Sequence, residues 1–161
     1  MLKKIVVLVL FFNLAFAAAV KPVFDQRQWK LGFAKQTKTD SIQEYILKAD
    51  KIENWSELVT IQFFPGLQKR MDLATFANTT RKSITHICPE VTWETIANTQ
   101  NESIWFFAIK DCKGQQDQSE IARVVVTNDG IHVFHYAVKQ LAMSASKKQE
   151  WLKNLRAIQI S

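Results

Sequence analysis

The hydrophobic positions of this chain first follow a period of two, shift to steps of three and four, return to two, and finish on three and four. That is the pattern of strands, a helix, more strands and a closing helix. Trp29-Lys30-Leu31-Gly32-Phe33 alternates within an otherwise polar, basic stretch, so residues 20–40 are expected to dock as an N-terminal arm. Ser41 to Leu47 reads as a short strand, and Ser56 to Phe64 as a stronger one, rich in β-branched and aromatic residues and stopped by Pro65-Gly66. From Asp72, a helix cap by type, Leu73, Phe76, Ala77, Thr80, Ile84 and Ile87 recur at helical spacing up to Pro89. Four alternating segments follow: 89–97, 103–110, 119–127 and 131–139. Polar turns join them, so they are expected to form an antiparallel meander, with Asn128-Asp129-Gly130 as its clearest hairpin signal. Ser146, with Gln149 three residues on, resembles a capping box before the apolar stripe of Trp151, Leu152, Leu155 and Ile158.

This order predicts an α+β fold, an antiparallel sheet of about six strands flanked by an internal helix and a C-terminal helix, with residues 41–161 as one domain. Phe63, Phe76, Phe106, Val124, Val133, Trp151 and Leu155 are its expected core. The element order resembles the PsbP-like fold, which serves exported accessory and lipoprotein-like domains. Three segments, ENWSELVTIQFF at 53–64, EIAR at 120–123 and HVFHYA at 132–137, are similar to those of small exported bacterial proteins of unassigned function. That resemblance implies a fold rather than a reaction.

Compartment follows from the first nineteen residues. Lys3 and Lys4 precede an apolar run from Ile5 to Phe16, and small residues then offer cleavage after Ala17 or Ala19, which together read as a signal peptide over residues 1–19. About a dozen apolar residues are too few to cross a bilayer core of ~30 Å as a helix, so no transmembrane segment is expected in the mature form. The protein is therefore expected to be exported, either periplasmic or secreted. Two units of the formal charge of +6 belong to Lys3 and Lys4, and the other basic residues are dispersed. Such a surface attracts anionic lipid or polysaccharide weakly, and nucleic acid is not an expected partner. Four glycines leave no room for a phosphate-binding loop, and no cofactor is expected.

In an oxidising compartment the two cysteines, Cys88 and Cys112, are most simply a disulfide. Pairing would also remove the thiol nucleophile that either could offer beside His86. No Gly-x-Ser-x-Gly elbow is present, so no catalytic residue is assigned. If Asp129-Gly130 is a two-residue turn, Arg123 faces Tyr136, and His132, Arg123 and Tyr136 share one sheet face while His135 lies on the other. The alternation keeps His132 and His135 from chelating one metal. His135, on the more apolar face, reads as a hydrogen-bonded core histidine. Arg123 with Tyr136 and His132 could hold a carboxylate or phosphate; alternatively, Arg123 pairs with Glu120 or a carboxylate on a neighbouring strand, and it must do so if the last helix covers it.

Glu53 and Glu57 flank Trp55, and Glu90 and Glu94 flank Trp93, which suits sugar binding but equally suits half-buried aromatics with solvated neighbours. Trp29, Trp55 and Trp93 are natural anchors for a protein partner. The leading expectation is an exported, non-catalytic binding or accessory protein of the bacterial envelope or secreted fraction. The alternative is a small hydrolase or anionic-ligand binder centred on Arg123, His132 and Tyr136.

Overall fold

The computed structural model describes residues 24–112 and 114–160. The expected signal peptide and the start of the expected arm lie outside the described residues. The chain is α+β: strands β1 (Trp29–Gln36), β2 (Ser41–Leu47) and β3 (Glu57–Pro65) are followed by helix α1 (Leu73–Ile87). Strands β4 (Thr92–Asn98), β5 (Glu102–Ile109), β6 (Gln118–Val126) and β7 (Gly130–Val138) and helix α2 (Ala145–Ala157) complete it. All seven strands join one antiparallel sheet in the order β1-β2-β3-β7-β6-β5-β4. The expected count of about six becomes seven because Trp29–Gln36 pairs with β2 along its length.

The sheet is two meanders, β1 to β3 and β4 to β7, fused where β3 pairs with β7. Consequently α1 carries the chain from the sheet centre to its far edge. Asp72 caps α1 by accepting from the Thr75 amide at 2.7 Å. The cap of α2 is Ser144, which accepts from the Lys147 amide, so the helix starts before the expected Ser146. Gly66 closes the end of β3 with φ of 69°, a conformation that favours glycine.

The helices lie on opposite faces. α2 packs over β6 and β7, where Trp151 and Leu155 are buried with Val59, Ile104, Ile121, Phe134 and Tyr136. α1 packs over β5 and β6, where Leu73 joins Trp105, Phe107, Ala122, Val124, Ile131 and Val133. Of the expected core, Val124, Val133, Trp151 and Leu155 are buried. Phe63, Phe76 and Phe106 are only half-buried, because the large aromatics under the helices are instead Trp105, Phe107 and Tyr136. Ile87, expected on the apolar stripe of α1, is 58% exposed at the end of the helix. Cys88 and Cys112 form a disulfide with a Cα separation of 5.0 Å, tying the end of α1 to the segment after β5.

Candidate functional site

The β6–β7 hairpin positions the polar residues of greatest chemical interest. Arg123 pairs with Phe134 and Val126 with Ile131, so the two-residue turn is Asn128-Asp129 rather than the expected Asp129-Gly130. Gly130 is needed for space: a Cβ there would lie 2.4 Å from the Phe64 carbonyl oxygen and 2.5 Å from the Phe63 ring. The register differs by two residues, one full pleat period, so every side chain keeps its expected face. Arg123, His132 and Tyr136 do share a face, the one beneath α2.

On that face their polar atoms point to three different places. The Arg123 side chain is 13% exposed; its Nε donates to Glu102 Oε1 at 2.7 Å, and its Nη1 to the carbonyls of Leu155 at 2.8 Å and Ile158 at 3.1 Å. A guanidinium here neutralises a neighbouring strand's carboxylate and also caps the end of α2, where unpaired carbonyls carry partial negative charge. His132 stacks on Phe63, with centroids 4.4 Å apart, and its Nε2 lies 3.1 Å from Thr127 Oγ1 and 3.3 Å from Asp129 Oδ1. It pins the turn.

Tyr136 is fully buried, stacked on Trp151 with centroids 3.7 Å apart, and donates its hydroxyl to Glu57. Glu57 is the hub of a network that sequence spacing did not reveal. Arg27 grips it with both nitrogens at 2.8 Å, Lys147 of α2 donates at 3.2 Å, and Arg27 and Trp29 in turn donate to Asp25 at 2.8 and 2.9 Å. Burial alone would raise the Glu57 pKa, but the hydrogen bonds from Arg27, Tyr136 and Lys147 outweigh it and hold the carboxyl at about 2. Burial and the neighbouring carboxylate both push the Tyr136 hydroxyl upward, keeping it a protonated donor. A carboxylate held so low is a poor proton acceptor. A half-open cavity of about 240 Å³ lies beside it, lined by Ser56, Glu57, Gln140, Met143, Ser144 and Lys147. Ser56 donates into Asp50, and Ser144 is spent on the helix cap. These groups fasten the N-terminal segment, β3 and α2 together.

On the opposite face His135 Nδ1 lies 3.0 Å from Glu120 Oε2, and Glu120 also accepts from Gln118 at 2.6 Å. His135 is hydrogen-bonded as expected, yet its side chain keeps 19% exposure because α1 packs over β5 and β6. The two histidines point to opposite sides, and among the described residues no group of three histidine, cysteine, aspartate or glutamate side chains is placed to hold a metal. His86 lies on an exposed turn of α1, and both cysteines are consumed by the disulfide.

The tryptophans considered as anchors are half-buried. Trp29 meets Trp151 edge-on, with centroids 5.7 Å apart, and Trp93 stacks on Phe107 at 5.5 Å with Arg81 over its ring. Trp55 lies under Lys139, 4.8 Å away. The exposed large hydrophobics among the described residues are instead Leu31, Phe33, Ile87 and Leu141. Leu31 and Phe33 occupy the edge strand β1, 49% and 43% exposed. A bulge at Gly32 sets Leu31 opposite Tyr45 but Phe33 opposite Glu44, so the two project from opposite faces of the edge. The alternation of Trp29, Leu31 and Phe33 signalled a strand, but nothing in it signalled the bulge.

A protein-family model matches residues 19–161, and the chain belongs to that small, uncharacterised family. No curated protein and no solved structure matches it, and the expected resemblance to the PsbP-like fold finds no support there. No helix among the described residues is long and apolar enough to cross a membrane.

Proposed function

We propose that this family member is an exported, non-catalytic binding or accessory domain of the bacterial envelope or secreted fraction, and that it contacts a protein partner through the β1 edge. The observation that carries this reading is the exposure of Leu31 and Phe33 on a strand whose described neighbour is β2 alone. Large apolar side chains at an unpaired sheet edge are a liability unless something covers them. By contrast, Arg123 is already engaged with Glu102 and the end of α2, and Tyr136 with Glu57, which favours a structural role for each. Export is supported by the basic, apolar and small-residue order of positions 1–19 and by the Cys88–Cys112 bridge, which suits an oxidising compartment.

The test is site-specific photo-crosslinking in the producing bacterium, with a photoreactive residue replacing Phe33 in one strain and exposed Glu150 on α2 in another. A discrete adduct from position 33, absent from position 150 and found in the periplasmic or secreted fraction, is expected. Equal labelling from both positions, or none from position 33, would remove β1 as the contact.

A further inference from the structure

We propose that β1 takes an extended, acidic segment of the partner as an additional strand; this rests on the reading of β1 as the contact and specifies its chemistry. An edge strand offers one row of unpaired amides and carbonyls, which an incoming strand satisfies by main-chain hydrogen bonds whatever its sequence. Sequence preference must then come from side chains. β1 is eight residues long, without proline, and exposes Lys30, Leu31, Phe33, Ala34, Lys35 and Gln36. Because the bulge turns Leu31 and Phe33 to opposite faces, an added strand meets an apolar side chain on each side of the sheet.

Charge selects among possible occupants. β1 carries two lysines and no acidic residue, and Lys38 lies just beyond it. Asp25 is occupied by Arg27 and Trp29 and Asp40 by Thr37, while Glu44 of β2, opposite Phe33 on the face of Lys30 and Lys35, offsets one of the two lysines and leaves that face of the edge with a net positive charge. A second copy pairing antiparallel along the whole of β1 would set Lys30 opposite Lys35 at both ends of the new ladder. Like charges directly opposite each other destabilise such a pair. At the other edge, β4 has its one acidic residue, Glu94, held by Lys148 at 2.5 Å, so it offers no free complement to β1. The lysines therefore disfavour self-association while attracting a carboxylate-bearing strand. The segment that fits has acidic side chains near both ends of an eight-residue register and β-branched residues between them.

The experiment uses the mature, disulfide-bonded protein and two synthetic peptides of the same length as β1. Both share a β-branched centre; one has glutamates placed to meet Lys30 and Lys35, and the other has lysines there. Amide hydrogen exchange is followed residue by residue. The acidic peptide is expected to slow exchange at β1 amides by about tenfold or more, with an effect that weakens in high salt, while the lysine peptide leaves them unchanged. The double variant Lys30→Glu, Lys35→Glu, altered only at exposed positions, should fold normally and reverse the preference. Protection by both peptides alike, protection elsewhere than β1, or an unreversed preference would overturn the proposal. So would concentration-dependent protection of β1 without peptide, which assigns the edge to a second copy. Crosslinking from position 33 without acidic-peptide protection would sink strand addition and leave β1 as the contact; no crosslinking from position 33 would remove β1 itself.

Discussion

Replacing Glu57 by glutamine tests whether the buried network, rather than apolar packing alone, fastens the N-terminal segment and α2 to the sheet. The side chain is 15% exposed and receives Arg27, Lys147 and the Tyr136 hydroxyl, so the fold strongly prefers its charged form. A carboxyl held at about 2 against an ordinary 4.5 corresponds to about 3 kcal/mol of preference for the carboxylate. Arg27 and Lys147 are themselves 36% and 33% exposed, and solvent screening brings the expected contribution down to about 2 kcal/mol. Because the folded pKa is depressed, this stability is fully present above pH 4.5 and is lost as pH falls from there towards 2. Glutamine keeps the shape and one acceptor but turns an amide group towards the guanidinium. Urea denaturation at pH 7 should therefore place Glu57→Gln about 2 to 3 kcal/mol below wild type. Towards pH 2 the gap should shrink to under about 1 kcal/mol, since wild type then loses its own charge. A gap of equal size at both pH values would show that the loss is one of packing, and no gap at pH 7 would show that the network contributes no net stability.

Arg123→Ala should lower stability by about 2 to 4 kcal/mol in a thermal or urea melt, because it leaves Glu102 and the last carbonyls of α2 without their donor; an unchanged midpoint would reopen Arg123 as a ligand group. Cys112→Ser opens a loop whose ends are 24 residues apart and should cost about 2 to 4 kcal/mol, while wild type, denatured without reductant, should show no thiol labelling. Trp151→Ala removes a fully buried ring that meets Tyr136, Trp29 and Phe24, and should cost about 3 to 5 kcal/mol, read as a fall in the urea midpoint.

What could be read from the chain was what repeats at short range. Asp72, Pro65-Gly66 and the turn at 128–130 punctuate periodic segments, and each marks a real boundary. Even the error in the hairpin register was harmless, since a shift of two residues leaves the pleat phase unchanged and kept Arg123, His132 and Tyr136 on one face. What could not be read depends on partners far away in sequence. Phe106 and Trp105 look alike as core candidates until α1 is known to cover the Trp105 face near β5, while Phe106 lies at the margin beneath Lys148.

Glu57 shows the same limit more sharply. Its donors lie 30, 79 and 90 residues away, on the N-terminal segment, β7 and α2, and beside Trp55 it looked like half of a solvated acid pair. Arg123 lay between these cases. The chain could state the alternatives, an open anion site or a buried pair, but the choice turned on where α2 ends. Because its final carbonyls at Leu155 and Ile158 fall on the guanidinium, Arg123 is closed off as an anion site, and the large apolar side chains left exposed on a sheet edge are those of the proposed contact, Leu31 and Phe33 of β1.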